Sequence, residues 1–121
     1  MPILAVDHVQ LAMPLDGEAR ARAFYRDILG IPEVPKPAEL VARGGCWFEN
    51  GSVKVHLGVE QDFCPARKAH PAFLVRDLPE LITRLKNAGC QIQADDGAGT
   101  RRIFTFDPFG NRIELIQEAH L

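Results

Sequence analysis

Residues 4–13 alternate between two faces, with Val6, His8, Gln10 and Ala12 on one and Asp7, Val9, Leu11 and Met13 on the other. That period of two predicts a β-strand. Pro14 ends it, and Asp16 is placed to cap a helix over residues 18–29, where Ala23, Phe24, Ile28 and Leu29 fall at helical spacing before Gly30. Prolines at 32, 35 and 37 restrict residues 31–37 to an edge strand or an irregular extended run. A strand over residues 46–49 then meets Asn50-Gly51, a signal for a two-residue hairpin, and residues 52–59 alternate cleanly. Val53, Val55, Leu57 and Val59 share one face of that strand, and Lys54, His56 and Gly58 share the other.

A polar connector containing Pro65, Arg67 and Lys68 precedes a second series in the same order. Residues 69–75 alternate with His70, Ala72 and Leu74 on one face. Asp77 and Glu80 form a capping box ahead of Leu81, Ile82 and Leu85, a helix that Gly89 ends. A short strand is expected near residues 90–93, a loop at Asp95-Asp96-Gly97-Ala98-Gly99, and strands over 101–106 and 112–117 joined by Asp107-Pro108-Phe109-Gly110. Each half reads as strand, helix and three strands, so the chain is one module written twice, over residues 1–60 and 68–121 of a single domain.

Candidate chemistry follows the repeat. His8 and His70 lie in the first strand of each module, and His56 and Glu114 in the last. Phe48 precedes His56 by eight positions, as Phe106 precedes Glu114. If the modules pack about a pseudo-twofold axis, these four potential ligands converge. By parity, Gln10 accompanies His8, and Arg102, Phe104 and Phe106 lie beside the strand of Glu114. Arg102 is a candidate anchor for a carboxylate or phosphonate. Trp47 is a candidate aromatic wall, with core packing as the alternative. Arg112 is expected to pair structurally with Glu114 or another acid. His120 is expected in an exposed tail.

Composition narrows this further. In 121 residues, 46% are hydrophobic and 25% charged, the balance of a folded globular protein. Halves of this size bury too little alone, so a shared core is expected. The formal charge of −2, with no basic stripe, argues against nucleic acid. No apolar run suits a membrane span and no leader precedes Asp7, which together predict a cytoplasmic protein. Cys46, Cys64 and Cys90 lack CxxC spacing, so buried free thiols are expected in place of disulfides or a thiolate zinc site.

The segments Asp7-His8-Val9, Ala23-Phe24-Tyr25-Arg26-Asp27-Ile28-Leu29-Gly30 and Asp107-Pro108-Phe109-Gly110-Asn111-Arg112-Ile113-Glu114-Leu115 together resemble the vicinal oxygen chelate superfamily. That superfamily includes glyoxalases, bleomycin- and fosfomycin-resistance proteins and ring-cleaving dioxygenases. The resemblance covers nearly the whole chain and implies an α+β fold of paired βαβββ modules forming a cupped mixed sheet. It implies metal ligands at His8, His56, His70 and Glu114, and a homodimer in which sites form between chains.

Glyoxalase I types carry a proton-abstracting glutamate where this chain has His56. The fosfomycin thiol transferases have a serine-rich loop that Gly97-Ala98-Gly99-Thr100 does not resemble, and the ring-cleaving dioxygenases are usually longer. Imidazoles and a carboxylate suit iron, nickel, zinc, cobalt or manganese.

The expectation is a small enzyme whose divalent metal chelates vicinal oxygens of a small-molecule substrate, with His56 and Glu114 catalytic and Gln10, Trp47, Arg102 and Phe104 around the substrate. The alternative is a metal-free ligand-binding protein of the bleomycin-resistance type. A dioxygenase or a thiol transferase stands behind both.

Overall fold

A computed structural model describes residues 1–94 and 101–119; the expected loop at 95–99, Thr100 and His120 lie outside the described residues. The chain divides into two compact units, Met1–Cys64 and Pro65–Leu121.

The first unit contains β1 (Val9–Met13), α1 (Glu18–Ala21), which continues as π-helical turns over Arg22–Ile28, and β2 (Glu33–Val34). A 3-10 turn (Ala38–Arg43), β3 (Cys46–Asn50) and β4 (Val53–Val59) follow. The second contains β5 (Ala72–Val75), α2 (Leu78–Asn87), β6 (Ile92–Ala94), β7 (Arg102–Phe106) and β8 (Arg112–Gln117). Each is a four-stranded mixed sheet, in the orders β1-β4-β3-β2 and β5-β8-β7-β6, with the first and last strands parallel. This is the α+β, twice-βαβββ architecture expected from the pattern.

Several boundaries differ for physical reasons. β1 starts at Val9, not at residue 4; its parallel pairing with β4 begins there, with Val9 opposite Val55. β5 starts after Pro71, which has no N–H for a ladder, although its carbonyl accepts from the Glu114 amide. Asp16 does not cap the first helix: it takes a positive φ of 64° in the preceding turn, and Gly17 occupies the N-cap without a side-chain bond. Asp77 does cap α2, accepting from the Glu80 amide. The β3–β4 loop is Gly51-Ser52, one position later than expected, with positive φ at Gly51 only, as a type II′ turn requires.

In the first unit, Phe24, Tyr25, Phe48, Val55, Leu57 and Met13 are buried, and Tyr25 stacks on Phe48 at 5.6 Å. Gly45 must pass close to β4, since a Cβ there would lie 2.1 Å from the Leu57 carbonyl oxygen. In the second unit, Leu78, Leu81 and Leu85 of α2 are buried together with Ile103, Ile113 and Leu115 of the sheet.

The Asp107–Asn111 turn is structural. Asp107 Oδ1 accepts from the amides of Phe109 and Asn111, its Oδ2 accepts from Asn111 Nδ2, and Asn111 Oδ1 accepts from the Ala66 amide. Cys46 is buried, Cys90 half-buried and Cys64 exposed, so the expectation of three buried thiols fails at Cys64, which lies in the connector. Among the described residues, no helix is long and apolar enough to cross a membrane.

Asp107→Ala strands three buried donors and is expected to lower unfolding stability by about 2–4 kcal/mol, and Gly45→Ala by at least ~2 kcal/mol, both read from urea denaturation. Burial also pushes the Cys46 and Cys90 thiols up from their ordinary value. A thiol reagent at neutral pH should therefore label Cys64 first in the folded protein, and all three cysteines only after denaturation.

Candidate functional site

In the first unit the candidate residues gather on the face of the sheet opposite the core. His56 lies across from Gln10 of β1 and Trp47 of β3. Its ring is sandwiched, with Trp47 at 3.9 Å and nearly parallel, and His8 at 4.4 Å on the other side. This stack buries His56 to 5% exposure on what the alternation marks as the polar face.

His56 Nε2 lies 2.8 Å from Glu49 Oε2. A carboxylate only accepts, so Nε2 donates and Nδ1 is the ring nitrogen left for other chemistry. Glu49 was not singled out by the sequence. Its signal was there, because it shares parity with Trp47 in β3. His8 Nδ1 contacts Asp7 Oδ2 at 2.9 Å. The His8 ring, and secondarily Lys54, hold the Asp7 carboxyl below its ordinary value.

Gln10 lies against Gly58, where a Cβ would approach its Nε2 to 2.8 Å. It lines an open cavity of about 520 Å³ with Ala12, Val59, Glu60 and Gln61.

In the second unit the same face carries Arg102, Phe104 and Phe106 of β7 and Arg112 and Glu114 of β8, with Phe104 opposite Glu114. Glu114 is 6% exposed, and both its oxygens are engaged. Arg102 Nη1 donates to Oε2 at 2.9 Å, and His70 Nε2 lies 3.0 Å from Oε1. His70 Nδ1 lies 2.8 Å from the Lys68 carbonyl. That oxygen has no hydrogen to give, so Nδ1 is the donor and Nε2 faces the carboxylate.

The acid–base partner of Glu114 is therefore Arg102, not Arg112, whose guanidinium instead lies 3.9 Å above the Phe104 ring. His70 meets Phe104 edge-on at 5.3 Å.

The structure thus brings His8 to His56 in one unit and His70 to Glu114 in the other. Within neither unit do three or more His, Cys, Asp or Glu side chains form a metal-holding group among the described residues. The eight-position match of Phe48 and Phe106 does not survive. Phe48 pairs with Val55 and is buried in the core, while Phe106 pairs with Arg112 on the site face. The β3–β4 loop is two residues and the β7–β8 loop five, so Trp47, not Phe48, is the counterpart of Phe104.

Two sheets of one topology, each carrying histidine or carboxylate donors on the face away from its core, define an α+β protein with a duplicated polar site. A family profile described as a glyoxalase-like domain matches residues 10–116. The chain belongs to that family, within the vicinal oxygen chelate superfamily.

A glyoxalase family protein from Bacillus anthracis is 47% identical, with 97% of each chain covered and a TM-score of 0.88. A glyoxalase/dioxygenase from Nostoc punctiforme is 25% identical, with 99% of each chain covered and a TM-score of 0.75. The oxidase ChaP-H2, at 24% identity, TM-score 0.72 and coverage of 99% of this chain and 97% of its own, shares the fold. Comparison with proteins of curated function gives no match.

Removing Arg102 leaves the buried Glu114 carboxylate one cation short. Arg102→Met is expected to lower stability by about 1–3 kcal/mol in urea denaturation, and Glu114→Gln in the same background to recover part of that loss.

Proposed function

We propose that the protein is a metal-dependent member of its superfamily that acts on a small substrate with two adjacent oxygens. One observation carries this reading: the unprotonated Nε2 of a neutral His70 would face a carboxylate oxygen at 3.0 Å, while Nδ1 is tied to a backbone carbonyl. Two lone-pair atoms at that separation are held by a cation between them, a proton or a metal ion. Tying the second ring nitrogen to a carbonyl or carboxylate is how proteins orient a metal-ligating imidazole, and His8 Nδ1 has the same kind of partner in Asp7.

Imidazole and carboxylate donors such as His70 and Glu114 suit iron, nickel, zinc, cobalt or manganese. A divalent ion held there would supply Lewis acidity toward vicinal oxygens.

The chain's own residues supply the remainder. His56 accepts a substrate proton at Nδ1, while Glu49 holds Nε2–H and stabilises the charged ring, the role a glutamate plays alone in glyoxalase I types. Trp47 and His8 clamp both ring faces and fix its direction. Arg102 orients the Glu114 carboxylate. Gln10, beside His56, offers an amide to a substrate oxygen.

A second reading, ligand binding without metal, is favoured by the closure of Glu114 by Arg102 and His70. Metal analysis of protein purified without chelator separates the two. The enzyme reading expects close to one equivalent per chain, lost in His70→Ala and Glu114→Ala while both variants stay folded. Less than about 0.2 equivalents even after reconstitution would sink it. Under the second reading, Trp47 fluorescence would titrate with an aromatic ligand in the presence of chelator.

A further inference from the structure

Among the described residues, the site face of the second unit carries two arginines against one carboxylate. Arg102 is engaged by Glu114. Arg112 forms no ion pair among the described residues, and its Nε is buried without a hydrogen-bond partner. Its guanidinium lies over the Phe104 ring, with Cζ 3.9 Å from the ring centroid. A guanidinium over a ring is held by the ring's quadrupole and keeps its planar fork of N–H donors, which matches a carboxylate through parallel hydrogen bonds. A charged group partly withdrawn from water without a counter-charge costs free energy that a bound anion recovers.

Arg112 is not held there by the fold's own needs. The turn before it is locked by Asp107, Asn111 and Ala66, and the backbone amide of Arg112, not its side chain, bonds to the Ala66 carbonyl. The register puts Arg112 opposite Phe106 and two positions from Glu114 on the same face. Residues so spaced along a strand are about 7 Å apart.

We propose that Arg112, seated on Phe104, is an anion subsite that receives a carboxylate of the substrate. Vicinal oxygens of the same molecule are taken up near His70 and Glu114, roughly 7 Å away. The proposal rests on the reading of that neighbouring pair as the chelation site. It narrows the substrate class to acids in which the carboxylate and the two adjacent oxygens lie at opposite ends of a ring or short chain. Neutral dicarbonyls and simple catechols are thereby disfavoured.

The test compares two probes of one shape, 3,4-dihydroxybenzoate and 3,4-dihydroxybenzamide, by calorimetric titration of the zinc-loaded, desalted protein. The expected result is at least about tenfold tighter binding of the carboxylate, the value of one charge-assisted pair. In Arg112→Gln that ratio falls to about one, chiefly through weaker binding of the carboxylate. Arg112→Lys keeps the charge and stem but loses the fork, and should retain a reduced preference.

No preference in the wild-type protein, no binding of either probe, or an undiminished preference in both variants overturns the subsite. Repeating the titrations on chelator-treated protein separates this from the metal reading. A preference that persists there and still depends on Arg112 keeps the subsite and removes the metal. Loss of all binding on chelation supports both.

Discussion

Strand register is the constraint on which the arrangement of this protein depends. Side chains on a strand alternate with period two, so a slip of one residue would exchange the core face for the site face. In the second unit the register of β7 on β8 is held by the Asp107 carboxylate, which accepts three hydrogen bonds within its turn, and by Asn111, which ties that turn to Ala66. Ile103, Ile113 and Leu115 then go to the core, and Glu114 goes to the face it shares with Phe104 and both arginines. The segment by which the family is most easily recognised, Asp-Pro-Phe-Gly-Asn, thus contributes structure. The chemistry begins after it.

The repeated scaffold carries two different electrostatic arrangements. The first unit's face centres on an imidazole, with rings on both sides and a carboxylate at its edge. The second centres on a carboxylate, with an imidazole and a guanidinium at its two oxygens. His56 and Glu114 occupy equivalent positions, opposite Trp47 and Phe104 respectively. Exchanging one group for the other at that position reverses the sign of charge its neighbours must supply, which is why Glu49 accompanies His56 and Arg102 accompanies Glu114. A buried carboxylate requires such a partner, and a histidine asked to carry a proton benefits from one.

Much of this was legible along the chain. The two βαβββ series, the Asp77 cap, the edge character of the proline-rich β2 and the shared parity of Arg102, Phe104 and Glu114 all follow from local periodicity and turn chemistry. The partners of the charged groups did not. Arg112 is nearer to Glu114 in sequence than Arg102 is, yet Arg102 makes the ion pair and Arg112 lies on a ring. Equal spacing suggested Phe48 and Phe106 as counterparts, whereas loops of two and five residues make Trp47 and Phe104 the matching pair. Glu49 shares the parity of Trp47, but only the folded hairpin brings it to His56.

The sequence by itself therefore determined the elements, their duplication and the face on which each candidate residue stands. Those properties depend on neighbours two to four positions away. Only the tertiary structure decided which donor meets which acceptor and, among the described residues, which cation is left without one. Pairing across strands depends on the lengths of the turns between them, and a difference of a few loop residues moves every partner while leaving the alternation along each strand unchanged.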